Sequence, residues 1–531
     1  MMNKRTMLKT AAAVSSVAML AAVGACGNSD AGATKDGKPA VSVLVVMPDN
    51  RLPFKTMQWA KDVEKDCGCA ITWKTVSNAA WNNQKNVTLA SGEIPDLTIR
   101  GFFKSDTANN ASMFENLADD LDKMPNVKKY LETKQDAKNM SSTIDGEIFS
   151  LVSDRGSAYH ASGQHMMINK TWLDKLGLKM PTTWDELENV LEAFKTQDPN
   201  GNGKADEIPM QIRKLNTTGF GWYDPFLLLN STGIVTHFNG GPSTTGIYAK
   251  DGKVASFLIS DEFKSVISYY HELISKGLVP TESLTMDDST YTANLQGDGK
   301  TAKVGVAFGW DIPTTFGDGL ADQYVAMPAP AAPGVSQDEV VWDGSQVENE
   351  FVNSTTVSSA AKNKDAVFKL LNLLFSEKYS VQQFKGDLSK WVEKTGDHEY
   401  TVSDKYYQQS PSEIPALEDG LSGWIPDDVT IKGDKNADRL QEVDQVYAEQ
   451  YQHFDPTKDI IPEYVNPSSD DNITLSNNNT AMFDYAMPKI GGWMRDGGID
   501  NDWADYVASM KKFGLDQNVQ IWQKWYDQYT K

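Results

Sequence analysis

The sequence predicts an α/β chain folded into two lobes. Three observations carry this expectation. The chain has 531 residues, 40% of them hydrophobic, which is too much apolar surface for one small core. Runs rich in β-branched residues alternate with stretches of helical spacing, the pattern of a layered α/β domain. No repeat of 20–50 residues is visible, which argues against a solenoid.

The elements follow in chain order. "AVSVLVVMP" (40–48) is nearly continuous in β-branched residues and reads as a buried parallel strand. "FKTMQWAKDVEKDCG" has helical spacing, and "AITWKTV" (70–76) is a second strand. "NVTLASGEIPDLTI" places a helix before a short strand. "HMMINKTWLDKLGL" begins as a strand and continues as a helix. "PTTWDELENVLEAFKTQ" is the clearest helix, with Thr183 and Glu186 at capping-box spacing and Leu187, Val190, Leu191 and Phe194 on one face. "AKVGVAFGW" (302–310) is another buried strand, and "AMPAPAAPG" (326–334) reads as a crossing between lobes. "NKDAVFKLLNLLFSEKY" is an amphipathic helix. Near the end Trp503, Tyr506, Val507, Met510 and Phe513 form one helical stripe, closed by Gly514, and Ile521, Trp522, Trp525 and Tyr529 form another.

The formal net charge is −22. So acidic a surface repels nucleic acid and anionic lipid and disfavours polyanionic ligands, leaving a neutral or cationic ligand as the better fit. Residues 1–25 combine the basic stretch "MMNKRTMLKT" with the apolar run "AAAVSSVAMLAAV", too short for a membrane span, and end before Cys26 in "VGAC". This order resembles the signal and lipobox of bacterial lipoproteins. The resemblance implies cleavage before Cys26, a lipid on its sulfur, and a cell-surface, extracytoplasmic location. Residues 27–39 are small and polar, a flexible tether. The two remaining cysteines, Cys67 and Cys69, form a local pair, reduced or bonded, and the fold rests on its core.

"DPNGNGKADEIP" has the spacing of a loop around a hard cation. With Asp198 at position 1, Asn200, Asn202, Lys204 and Asp206 fall at 3, 5, 7 and 9, and Gly203 at 6. Pro209 stands where an EF-hand has its bidentate Glu, so Glu207 is the natural substitute. Oxygen donors without His or Cys suit calcium. "IPMQI" after the loop reads as a strand, so the ion is expected to be a structural clasp rather than a sensor switch.

The block "INKTWLDKLGLKMPTTWDELENVLEAFKTQDPNGNGKADEIPM", with the lipobox, the tether and the ending "WADYVASMKKFGLDQNVQIWQKWYDQY", resembles the extracellular solute-binding proteins (family 1) of ABC sugar importers. Among these it is most similar to the large alginate-oligosaccharide-binding lipoproteins. The resemblance implies a two-lobed periplasmic-binding-protein-like fold (type II), with a hinge and a central cleft. It implies an oligosaccharide ligand handed intact to permease subunits, no enzymatic activity, a monomer held to the membrane only by its lipid, and calcium on Asp198, Asn200, Asn202, Lys204, Asp206 and Glu207. The expected organisation is a signal peptide (1–25), lipidated Cys and tether (26–39), lobe one (40–158 plus 329–377) and lobe two (159–328 plus 378–531).

A sugar site needs aromatic faces for C–H surfaces and planar amides, carboxylates and Arg for hydroxyls. Of the 14 tryptophans, those in loops beside Gly, Pro or Asp are the candidates. They are Trp222 in "FGWYDP", Trp310 with Asp311 in "FGWDIP", Trp342 with Glu350 in "VVWDGSQVENEF", Trp81 with Asn83 in "NAAWNNQ", and Trp493 in "IGGWMRDGG". Arg155 and Tyr159 in "SDRGSAYHASG" lie at the first expected crossing. Other chemistries find less support. "LQGDGKT" lacks the first P-loop glycine, because Asn294 occupies that place, and neither H-E-x-x-H nor G-x-S-x-G occurs. The six histidines are scattered. The alternatives are a cell-surface glycosidase using a carboxylate pair among the 72 acids, a binder of peptides or another non-sugar solute, and an adhesin.

Overall fold

In the computed structural model, residue 34 and residues 37–410 and 413–531 are described. The leader, Cys26 and most of the tether lie outside the described residues. Among those described, no helix is long and apolar enough to cross a membrane.

Among the described residues, fourteen strands run along the chain. The first five are β1 (Ala40–Met47), β2 (Ala70–Ser77), β3 (Leu97–Ile99), β4 (Leu151–Asp154) and β5 (His165–Asn169). Then come β6 (Ile208–Met210), β7 (Ile247–Lys250), β8 (Lys253–Ser256), β9 (Val304–Gly309), β10 (Tyr324–Met327) and β11 (Phe351–Val357). The last three are β12 (Val392–Gly396), β13 (Glu399–Val402) and β14 (Thr430–Lys432).

One lobe is built on the sheet β2-β1-β3-β11-β4, the other on β10-β5-β9-β6. In the first, β1 pairs parallel with β2 and β3, while β11 enters antiparallel between β3 and β4. Val43, Val45, Leu97, Ile99 and Leu151 face a core shared with the helices Gln58–Cys67, Pro125–Thr133 and Lys364–Leu374. Leu44 and Val46 point to the other face, against Trp81, Phe102 and Phe149. Alternate residues serve two cores because a strand's side chains alternate faces, which is why β1 reads as continuously apolar. The second lobe packs the helices Trp184–Thr196, Asp261–Ser275 and Ser469–Asp496 on its sheet around the largest core. This is the two-lobed α/β architecture of type II binding proteins.

The helix after "MPT" starts where its cap predicts. The Thr183 hydroxyl accepts from the Glu186 N–H at 3.2 Å. The reciprocal half of the capping box is displaced by one residue, since the Glu186 carboxylate accepts from Thr182 N–H and hydroxyl, both at 2.8 Å. Cys67 and Cys69 are joined in a disulfide.

Two stretches differ from expectation. The Pro/Ala run near 326–334 stays in the second lobe: β10 pairs with β5, Ala331 bridges Thr183, and Ala329, Ala331 and Ala332 lie in the larger core. The chain instead passes to the first sheet just before β11, so the crossing follows residue 343. After the helix Glu377–Lys385, whose Tyr379 packs in the first lobe's core, residues to about 440 form a small body set against that lobe, with Leu417 and Trp424 in its core and Trp424 bridged to Asp154. It holds the sheet β12-β13-β14 and clusters around Tyr400 and Leu421.

Candidate functional site

Three strands end around Asp419, which bonds Arg155 and acts electrostatically on Arg100, while Trp310 lies 5.8 Å from Arg155. Arg100 is the first residue past β3, Arg155 the first past β4, and Trp310 the first past β9. Carboxyl ends of strands are where open α/β sheets present ligand groups. Arg155 anchors the site. Its guanidinium donates to Asp419 at 2.8 Å and to the Asn349 carbonyl at 2.7 Å, and lies 4.4 Å from the Tyr159 ring centroid and 5.8 Å from that of Trp310. Tyr159 is fixed in turn by its hydroxyl, which donates to Asp434 at 3.2 Å, while Asp434 is paired with the buried Lys385 at 2.8 Å. Burial of both charges demands that pairing. Arg155, Tyr159, Trp310 and Asp311 line a cavity of about 190 Å³ together with Asp419 and Asn436.

Trp222 stands beside Trp310, with ring centroids 5.9 Å apart. Both rings close on Gly163, where an added Cβ would lie 2.2 Å from Trp310 and 2.6 Å from Trp222. Both are half-buried, unlike the core tryptophans. Arg213 braces this loop, 5.6 Å from the Tyr223 ring and donating to the Trp222 carbonyl at 3.4 Å. The N-cap Asp224 is buried, and burial raises its carboxyl to about 7 against two backbone hydrogen bonds that lower it. Strain gathers around the same region: Arg100, Tyr223, Asn353 and Glu418 all have positive φ, between 50° and 62°. Such conformations cost of order 1–3 kcal/mol each and concentrate at functional sites. Burial holds the Arg100 guanidinium below the usual arginine range, an effect that Asp419 offsets in part.

A second and larger cavity, about 730 Å³, is bounded by both lobes: Lys104, Asn109 and Phe149 on one side, Asn472, Trp525 and Tyr529 on the other. Lys104 reaches across the gap, donating to the carbonyls of Asn139 and Tyr464 at 3.3 Å each. Its burial lowers the ammonium to about 8.

The structure thus brings together Arg155, Tyr159, Trp222, Trp310 and Asp311. Asp311 is tied locally, capping a short helix by accepting from Thr314 N–H at 2.6 Å. Trp342 is fully buried, stacked on Tyr447 and donating to the Gln164 carbonyl. Trp493 sits not in a loop but inside the helix Ser469–Asp496, packed against Tyr506 in the core. Trp81 lies in the helix Asn78–Ser91, buried under Phe102 with its N–H on the Gly101 carbonyl, and Asn83 donates to the Ala79 carbonyl of its own helix. Glu350 is buried in an ion-pair network with Lys134 and His160 at the crossing. The sequence reading missed Arg100, Asp419 and Lys385. Arg100 carried a signal, since it directly follows a strand; the other two come from distant segments that only folding assembles.

The cation-type loop follows the helix Trp184–Thr196. Asp198, in left-handed backbone, accepts N–H groups of Gly201, Asn202 and Gly203, and the amides of Asn200 and Asn202 converge on Asp206. One carboxylate oxygen of Glu207 is buried without a hydrogen-bond partner. Lys175 donates to the carbonyls of Asp198 and Pro199. A ring of oxygen side chains with one orphaned carboxylate oxygen fits a hard cation.

The fold is shared with known proteins. A crystal structure of an extracellular solute-binding protein from Bifidobacterium longum subsp. infantis is 55% identical, with TM-score 0.91, over 94% of this chain and 100% of that one. An HMO binding, ABC-transporter associated solute-binding protein from Bifidobacterium longum infantis is 54% identical, with TM-score 0.90, over 93% and 100%. The fructooligosaccharide ABC transporter substrate-binding protein FusA of Streptococcus pneumoniae is 29% identical over 97% of each chain. A FusA EF-hand mutant has been solved with fructo-nystose; it is 26% identical, with TM-score 0.74, over 92% and 99%. The sequence model described as bacterial extracellular solute-binding protein matches residues 54–381, and the chain belongs to that family.

Proposed function

We propose that the protein captures an oligosaccharide outside the cytoplasmic membrane and passes it intact to an ABC permease. The observation that carries this reading is the half-buried pair Trp222 and Trp310, closing on Gly163 beside Arg155 between two lobes. Flat apolar rings beside a charged, hydrogen-bonding fork match a sugar's alternation of C–H faces and hydroxyls. The ligand is a neutral oligosaccharide: the acidic chain repels uronates, and FusA is a fructooligosaccharide binder. Arg100, Arg155, Tyr159, Trp222 and Trp310 contact it, with Asp311 and Asp419 at the rim. The larger cavity gives a longer glycan room to extend.

Calcium occupies the Asp198–Glu207 loop as a structural clasp. The side chains of Asp198, Asn200, Asn202, Asp206 and Glu207 hold it with the Lys204 carbonyl; the FusA EF-hand mutant supports the reading. Bound there, the ion neutralises the crowded carboxylates. The mature chain is a monomer held at the membrane by lipid on Cys26. Its boundaries near the crossings at 155–164 and 343–350 form the hinge.

Titration calorimetry against a panel of neutral and uronate oligosaccharides tests the reading. Saturable binding of a neutral glycan, with no new reducing ends after long incubation, is the expected outcome. Binding of uronate oligomers alone, or cleavage of the bound glycan, overturns it.

A further inference from the structure

Away from the aromatic pair, and outside the calcium-type loop, three chain segments meet at a second set of metal-type ligands. His237 comes from the loop after residue 232, Glu348 from the crossing that leads to β11, and Glu463 from the segment before the helix Ser469–Asp496. One ligand atom of each lies within 4.8 Å of the others. The His237 Nε2 is 3.5 Å from a Glu348 carboxylate oxygen and 3.7 Å from one of Glu463.

Two observations separate this cluster from an ordinary acidic patch. His237 is 4% exposed, yet neither of its ring nitrogens has a hydrogen-bond partner among the described residues. A buried imidazole without a hydrogen bond is costly, and two carboxylate oxygens 3.5 and 3.7 Å from its Nε2 do not supply one. The cluster is also shaped closely. Glu463 N–H donates to both oxygens of the 5% exposed Glu348, at 3.1 and 3.3 Å. The His237 backbone N–H donates to Ser243 at 3.0 Å, and a Cβ on Gly240 would lie 2.7 Å from a Glu463 oxygen, so the loop wraps the carboxylate. Two carboxylates are therefore pressed together beside an imidazole that makes no hydrogen bond, and a dication would satisfy all three.

We infer that His237, Glu348 and Glu463 form a binding site for a divalent transition metal, of which zinc is the best fit. One imidazole nitrogen with two carboxylate oxygens is a borderline donor set, whereas calcium takes oxygens alone. Bond lengths of about 2.0–2.2 Å place neighbouring ligands of a tetrahedral ion roughly 3.3–3.6 Å apart, close to the 3.5 and 3.7 Å between the imidazole and the two carboxylates. Three protein ligands leave the fourth position to water. Because Glu348 belongs to the crossing and the other two ligands to the second lobe, the ion would tie the root of the hinge to that lobe.

The test uses the full chain, stripped by chelator and then saturated with calcium so that the other loop is filled. Equilibrium dialysis with zinc should show one added ion per chain. His237→Ala and, separately, Glu463→Gln should weaken uptake at least about tenfold, while both variants keep wild-type calcium uptake and circular dichroism. Glu463 is the more exposed ligand, so Glu463→Gln carries the test if the histidine variant does not fold. Cobalt in place of zinc should give a visible absorption band that the variants lose. Wild-type chain that takes up no zinc beyond calcium, or variants that bind it equally well, would overturn the assignment.

Discussion

Gly163 sets how closely two aromatic faces meet the backbone, and few single residues carry more of the proposed site. A methyl group there would sit 2.2 Å from one ring and 2.6 Å from the other, so Gly163→Ala must turn one or both rings away. Over-packing of this kind costs about 1–3 kcal/mol. Calorimetry should show glycan affinity falling roughly tenfold or more, with unchanged far-ultraviolet dichroism. Equal affinity would mean that the rings do not hold the sugar. Asp224 offers a second readout. Its carboxyl is raised by burial to about 7, so the folded state holds the proton more tightly than the unfolded one. That contribution is complete below about pH 4 and is lost as pH rises through 7. Asn keeps the cap on Phe226 N–H and removes the charge. Asp224→Asn should therefore gain stability relative to wild type between pH 5 and pH 8, by roughly 1–3 kcal/mol. A difference that stays constant with pH in denaturant melts would contradict the buried titration. The sequence marked Trp222, Trp310 and Arg155, which the fold places side by side, through their punctuated loops. It could not show that Trp342 stacks on Tyr447, because an aromatic beside Gly and Asp looks the same in a core loop as in a cleft.

Local patterns were legible where one element decides its own structure. The strand at 40–47, the capped helix Trp184–Thr196 and the paired terminal helices around Gly514, whose φ is 102°, all follow from periodicity and caps. The helix Ser469–Asp496 did not, because Gly491, Gly492 and Pro488 lower its intrinsic propensity and burial of Met482, Ile490 and Trp493 overrides them. The Pro/Ala run misled for a related reason: its small side chains fit against the second lobe's core. The cation loop tests whether a local pattern also binds. An ion held by the folded state alone adds about 2.7 kcal/mol at a hundredfold excess over Kd. Chelator should lower the melting temperature by several degrees, and calcium, not magnesium, should restore it. Glu207→Gln should reduce that calcium-dependent increment, since its orphaned oxygen is the donor most in need of a cation. A melting temperature indifferent to chelator would leave the loop as a turn.

Across the whole molecule, the proposed site divides between lobes, and this division makes its strongest prediction. Arg100 belongs to the first sheet and Trp310 to the second, while Arg155 and Asn349 sit in the two crossings and bond each other. A ligand shifts an open–closed equilibrium only through its differential affinity for the two states; moving it from 1:99 to 99:1 takes about 5.5 kcal/mol. Contacts made to one lobe alone are the same in both states and supply none of that. Arg100→Ala and Trp310→Ala should each weaken glycan binding, and the double variant should lose less than the sum, because either loss already removes the reason to close. Small-angle scattering separates this from ordinary contact loss. Wild-type chain at saturating glycan should contract, whereas Arg100→Ala at its own saturation should be occupied yet remain open, because the sugar then engages chiefly the Trp222–Trp310 side. If the Arg100 variant contracts as far as wild type once saturated, closure is driven from one lobe, and the arrangement of Arg100, Arg155 and Trp310 at three strand ends is not what couples binding to movement.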